Sequence, residues 1–137
     1  MADTDIERCL SDLARSLRRD CHRFELVADR QAIGTLVILP DMEGLDLHLI
    51  IVAAEYRRKG VGRHLMNSLI ACADRHSVKI ILSVLPFHPA DEDWLCAFYR
   101  EFGFEVDWEH CQGGDLAMRR HPIPCPVSIP GRLPEPA

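Results

Sequence analysis

The sequence predicts a mixed α/β fold, a central sheet flanked by helices, on three observations. Apolar residues switch repeatedly between a helical 3.6-residue spacing and the alternating or continuous spacing of strands. The chain has 137 residues, 47% hydrophobic and 27% charged, which suffices for one buried core and not for two. Its prolines crowd the end, six of nine lying between Pro122 and Pro136, so the body is left free to form regular structure.

In chain order, Thr4-Asp5-Ile6-Glu7 matches a capping box, with Thr4 as N-cap and Glu7 answering it. Ile6, Leu10, Leu13, Ala14 and Leu17 keep helical spacing, which predicts a first helix over residues 5–19. Residues 24–28 and 32–39 read as two strands of a hairpin around the polar Asp29-Arg30-Gln31. After a turn over residues 40–44, residues 45–52 (LDLHLIIV) alternate at first and end continuously apolar, as a central strand does. The basic turn Arg57-Arg58-Lys59-Gly60-Val61-Gly62 then opens a helix reaching His76, with Val61, Leu65, Leu69 and Cys72 along its stripe.

Residues 79–85 are a β-prone run, and Asp91-Glu92-Asp93 places acidic side chains at the start of a helix reaching Phe102. Gly103 stops that helix, and residues 104–108 and 116–119 close the domain as a hairpin around Gln112-Gly113-Gly114. One domain over residues 1–120 is therefore expected, followed by a Pro-rich tail over residues 121–137. The tail is read as passive by default, with a polyproline ligand for a partner as the alternative.

Sixteen Lys and Arg against twenty-one Asp and Glu give a net charge of -5, which disfavours a generic nucleic-acid binder. No apolar run approaches the length of a membrane span, and Met1-Ala2-Asp3-Thr4-Asp5 lacks the pattern of a secretion signal, so a cytoplasmic protein is expected. Six cysteines (9, 21, 72, 96, 111 and 125) are widely spaced, with no Cys-x-x-Cys. They read as free thiols rather than a disulfide framework, and no metal is expected.

The unit that carries chemistry is the strand ending at Val52, then Arg57-x-x-Gly60-x-Gly62, then a helix. Glycines let backbone approach a ligand closely, and the first amides of a helix have no internal partner and sit at the positive end of its dipole. Together they make an anion cradle suited to a pyrophosphate, with Arg57, Arg58, Lys59 and Arg63 adding positive charge around it. A dinucleotide fingerprint would need glycine where Leu65 stands, and a P-loop would need Gly-Lys-Ser/Thr; neither is present. About forty residues on, Tyr99 lies one helical turn before Gly103, placed to bury its ring and present its hydroxyl. A phenol can act as general acid toward a strongly basic leaving group.

Arg57-Arg58-Lys59-Gly60-Val61-Gly62 and Tyr99-Arg100-Glu101-Phe102-Gly103-Phe104, on these elements and at this spacing, resemble the signature of the GCN5-related N-acetyltransferase (GNAT) superfamily. The resemblance covers about 100 residues, from Phe24 to Arg120. It implies a mostly antiparallel mixed sheet, splayed between the fourth- and fifth-strand equivalents. It further implies that backbone of Ile50, Ile51 and Val52 pairs with the pantetheine arm of acetyl-CoA. Amides from Arg58 through Lys59, Gly60, Val61 and Gly62 to Arg63 would hold the pyrophosphate, and Tyr99 would protonate the departing thiolate.

The family reaction is direct attack of an amine on the thioester. Asp46, six residues before Val52, stands where several relatives keep a carboxylate base, and His48 is the alternative because imidazole titrates near neutral pH. A small-molecule amine, a protein lysine and a protein N-terminus all fit as acceptor. The acidic balance, with Asp91, Glu92 and Asp93 by the expected cleft, favours a cationic one.

The chain departs from the pattern in three places. Relatives often begin with a strand before the first helix, and here only about four residues precede it. Part of the acceptor wall would then be short or supplied by a second copy in a homodimer. Glu92 replaces an asparagine that often contacts the cofactor, which keeps a non-catalytic acyl-CoA-binding or protein-interaction module as the alternative function. The Pro-rich tail has no counterpart.

Overall fold

Alternating apolar residues pair into a seven-stranded sheet, shown in a computed structural model that describes residues 3–84, 91–111 and 116–123. The chain runs α1 (Asp3–Leu13), β1 (Arg18–Asp20), β2 (Arg23–Ala28), β3 (Gln31–Pro40), β4 (Gly44–Val52), a 3-10 turn (Ala54–Tyr56), α2 (Val61–Arg75), β5 (Lys79–Val84), α3 (Asp91–Arg100), β6 (Glu105–Val106) and β7 (Leu116–Arg120). Strand order is β1-β2-β3-β4-β5-β7-β6, so β4 is the middle strand. All neighbours are antiparallel except β4 and β5, which are joined through α2 and run parallel. Between β2 and β3, Asp29 and Arg30 make the tight turn with φ of +51° and +66°.

Side-chain alternation gives the sheet two unequal faces. Phe24, Leu36, Ile38, Leu45, Leu47, Ile80, Leu82 and Met118 are buried against the helices. A Cβ on Gly34 of β3 would lie 2.6 Å from Val61 Cγ1, which places α2 directly on this face. α1 packs beside α2, where the Asp12 carboxylate accepts from His76 Nε2 at 3.0 Å and from Arg75. Burial opposes ionisation of Asp12, but these two donors outweigh it and hold its carboxyl below the ordinary value. On the opposite face Val37, Leu39 and Ile81 are only half-buried, and among the described residues no helix covers them.

Parallel pairing of β4 with β5 runs from Gly44↔Lys79 to Leu47↔Leu82 and stops there, while β4 continues to Val52. The two strands are thus joined at one end and splayed at the other. At the joined end the backbones come very close, since a Cβ on Gly44 would overlap the Lys79 carbonyl oxygen. Gly44→Ala is therefore expected to lower stability by about 2–3 kcal/mol, read as a shift of the urea midpoint at unchanged slope.

A polar tie closes the other end of the helical layer. The buried Arg120 donates to both oxygens of Asp74 on α2 at 2.6 and 3.0 Å and to the Phe102 carbonyl at 2.7 Å, and the Ile123 amide donates to Asp74 at 2.9 Å. Among the described residues all five cysteines are free. Burial pushes the Cys9 thiol up to about 12 and the Cys72 thiol up to about 11, so neither is a nucleophile at neutral pH. No helix of the described residues is long and apolar enough to cross a membrane.

The first helix is shorter than its periodicity predicts. It begins at Asp3, so Thr4 lies inside it rather than at the cap, and it ends at Leu13. Leu17 still reaches the core, at 2% exposure, through turns in which its amide bonds the Leu13 carbonyl at 3.1 Å. Residues 18–20 then pair with β2 instead of continuing the helix. The last hairpin keeps its expected order with a shorter first strand, β6, and its turn at 112–114 lies outside the described residues. So does the proline-rich segment 124–137.

Candidate active site

The strongest local arrangement lies where β4 leaves β5. Arg58 and Gly60 take left-handed backbone, with φ of +63° and +84°, and together bend the loop into α2. Gly60 is the N-cap, and the first bond within the helix runs from the His64 amide to the Gly60 carbonyl at 3.0 Å. The amides of Val61, Gly62 and Arg63 therefore have no acceptor inside the helix. A Cβ on Gly60 would meet nothing within 4 Å, so there is open space beside this turn. Donors, dipole and space together suit an anion.

The four cations around this turn are less free than their sequence suggests. Arg57 Nε donates to the Val52 carbonyl at 3.2 Å, which ties the loop back to the end of β4. Lys59 lies over the Tyr56 ring at 5.7 Å. Arg63 pairs with Glu101, just past the end of α3, at 2.5 Å and lies 6.0 Å from the Phe102 ring. Arg58 alone of the four has no side-chain hydrogen bond, ion pair or ring contact among the described residues.

Along the splay, Ile50 and Val52 pair with Leu36 and Gly34 and face α2, while Ile51 pairs with Thr35 and faces the uncovered side. Beyond Leu47, β4 has no pairing partner on its β5 side among the described residues, so its backbone there is available to a ligand. A Cβ on Gly62 would make ordinary contact at 3.8 Å with both Val52 Cγ2 and Phe98 Cζ. This brings the end of β4, the start of α2 and the middle of α3 to one place.

Tyr99 comes from that part of α3. Its ring is 8% exposed and packs against Phe98 and Phe104, with centroids 5.6 and 5.8 Å away. Its hydroxyl has no hydrogen-bond partner among the described residues. Burial raises its pKa above the ordinary 10.0, with the Cys96 thiol adding to the shift, so the phenol stays protonated at neutral pH.

Asp46 and His48 lie across the sheet from Tyr99. Asp46 pairs with Leu39 between the buried Leu45 and Leu47, and so faces the uncovered side. His48 is the extra residue of a β-bulge, because Leu47 pairs with Ile38 and Leu49 already pairs with Val37. Burial raises the Asp46 pKa above the ordinary 3.8; the neighbouring His48 opposes the shift and Asp41 adds to it.

Two features of this region escape a reading of motifs. Trp94 and Phe98 of α3 and Phe102 just past it form an aromatic ladder, with Trp94 stacked at 5.7 Å and 6° on Phe98 and Phe102 edge-on to it at 5.1 Å. Their four-residue spacing is visible in the sequence. The bulge at His48 shows there only as the change from alternating to continuous apolar residues. Away from the splay, Asp107, Glu109 and His110 have ligand atoms within 4.8 Å of one another. Asp107 is already bonded by His110 at 2.7 Å and Arg119 at 3.2 Å, and the Arg119 guanidinium works against a bound cation.

Fold and splay together define the class: a mixed, mostly antiparallel α/β protein in which a helix starts beside the opening between its two parallel strands. The sequence profile of the acetyltransferase (GNAT) domain matches residues 21–106, more than half of the chain, and the protein belongs to the GNAT acetyltransferase family. Solved structures agree on the fold. Ard1 from Thermoplasma volcanium is 19% identical with a TM-score of 0.58, over 83% of this chain and 78% of that one. The PaiA N-acetyltransferase from Thermoplasma acidophilum, in complex with coenzyme A, is 20% identical with a TM-score of 0.57, over 86% and 67%. The ribosomal-protein-S18-alanine N-acetyltransferase from Escherichia coli is 16% identical with a TM-score of 0.60, over 94% and 95%. No curated protein sequence matches the chain.

Proposed function

We propose that the protein transfers an acetyl group from acetyl-CoA to a primary amine by direct attack. The observation that carries this reading is the unpaired backbone of β4 beyond Leu47 leading to the open amides at the start of α2. A pantetheine arm fits the first and a pyrophosphate the second, and the PaiA structure, a member of the same fold, holds coenzyme A. Ile50, Ile51 and Val52 would hold the arm through backbone groups. The turn from Arg57 through Arg58, Lys59, Gly60, Val61 and Gly62 to Arg63 would hold the phosphates.

In the reaction the amine nitrogen forms a bond to the thioester carbonyl carbon, and the carbon–sulfur bond breaks. Asp46 or His48 takes the proton the nitrogen loses, and the Tyr99 hydroxyl gives a proton to the departing thiolate. A second reading, an acyl-CoA-binding or protein-interaction module without turnover, is favoured by Glu92 at the position of the family asparagine.

The test is acetyl-CoA cleavage with a panel of amines beside calorimetric CoA binding. Amine-dependent thiol release is expected; tight CoA binding with no release on any amine would leave only the second reading. Gly60→Val probes the cradle separately. At φ of +84° a β-branched residue costs about 1–3 kcal/mol of stability, and its side chain adds bulk in the open space at the turn. CoA affinity is expected to fall at least tenfold at a temperature where the variant remains folded by circular dichroism, and unchanged affinity would remove the cradle. The base is read from pH dependence. If Asp46 serves, the acid limb of kcat/KM lies above 3.8 and disappears in Asp46→Asn; if it persists there and disappears in His48→Gln, His48 serves.

A further inference from the structure

The open helix amides and Tyr99 belong to the helical face, whereas Asp46 faces the side that no described helix covers. Among the described residues that side is an exposed strip. Leu49 and Ile51 stand 41% and 49% exposed on β4, with the half-buried Val37 directly across from Leu49. Two clefts of about 650 and 320 Å³ among the described residues lie elsewhere, between α1 and α2.

We infer that this open face is the acceptor side of the site and that it takes a flexible polypeptide, whose primary amine is followed by apolar side chains. The inference rests on the transfer reading above and narrows its acceptor. A small polar amine gains affinity from several polar groups converging in an enclosed site, which the described residues of this strip do not offer. A polypeptide gains it by laying successive side chains along exposed apolar area, and Leu49, Ile51 and Val37 supply that area next to Asp46.

Charge agrees with this occupant. Asp41, from the β3–β4 turn, lies close enough to Asp46 to raise its pKa, so two carboxylates stand at one end of an apolar strip. An ammonium followed by apolar residues complements that order, acid first and apolar after.

The experiment compares acetyl-CoA-dependent acetylation of three probes. These are short synthetic peptides with a free α-amino group and Leu or Ile at the next two positions, 1,4-diaminobutane, and glucosamine. The peptides are expected to have the highest kcat/KM. Leu49→Ser, at an exposed position, is expected to raise the peptide KM about tenfold while the calorimetric Kd for CoA stays unchanged. Equal or better use of diaminobutane or glucosamine, or a peptide KM that Leu49→Ser does not move, overturns the polypeptide acceptor and leaves amine acetylation standing. A dimer seen by sedimentation that Leu49→Ser dissolves assigns the face to a second copy and overturns it as well. Cleavage with no amine at all removes the transfer reading, and this proposal with it.

Discussion

Asp74→Ala is expected to lower stability by about 3–5 kcal/mol, a fall of roughly 10–20 °C in Tm. Arg120 is 3% exposed and its guanidinium has two acceptors, the Asp74 carboxylate and the Phe102 carbonyl. Removing the carboxylate leaves a buried cation with one carbonyl. It also frees the Ile123 amide and unfastens β7 from the last turn of α2. The double variant Asp74→Leu with Arg120→Met is expected to recover most of the loss, because the cost lies in the unpaired charge rather than in the absence of the pair. A double variant no more stable than Asp74→Ala would show instead that the pair itself holds the helices to the sheet.

The same tie predicts a pH dependence. Burial opposes ionisation of Asp74, but the Arg120 hydrogen bonds, the Ile123 amide and the Arg120 charge outweigh it and lower the pKa below the ordinary 3.8. A carboxyl with a depressed folded pKa contributes stability that is full above its unfolded value and is lost as pH falls through the folded one. Chemical denaturation of the wild type should therefore show Asp74-dependent stability at pH 6 that fades below about pH 4, a component absent in Asp74→Asn.

Most elements were legible because their periods are clean. Residues 45–52 and 61–75 show their strand and helix in composition alone, and the glycine turn between them marks where a ligand would approach. What stayed hidden depends on partners far away in the chain. Arg18–Asp20 has no apolar alternation and is a strand only because its residues meet β2, with Arg18 bonded to Glu25 at 2.6 Å. Leu17 continued the helical spacing because it must reach the same core by another path. Gly44 reads as an ordinary turn residue until β5 is laid against it. Arg120 and Asp74 are 46 positions apart, so their pairing is a tertiary fact.

The candidate site divides in the same way. Its glycine turn is local and visible as Gly60-Val61-Gly62, whereas the bulge at His48 and the exposure of Leu49 and Ile51 beyond it follow from pairing with β3. The cations at 57–63 were visible as charge, but not their ties to Val52, Tyr56 and Glu101.

Tyr99→Phe is expected to reduce kcat by about 10²–10³-fold while leaving the Kd for CoA and the fold unchanged. The ring does the packing, against Phe98 and Phe104, and phenylalanine keeps it. The hydroxyl has no partner among the described residues, so its removal orphans no buried donor or acceptor and costs under about 1 kcal/mol. If the phenol protonates the thiolate, the loss belongs to turnover alone, because CoA binding does not need that proton. The pH profile adds a second reading. Burial first, and Cys96 second, hold the Tyr99 pKa above 10.0, so the donor stays protonated across the neutral and mildly alkaline range. Wild-type kcat should then show no alkaline fall before pH 10, while Tyr99→Phe is low at every pH. A variant that turns over at the wild-type rate would place the proton source elsewhere, and one that loses CoA affinity in proportion to kcat would make Tyr99 a binding residue.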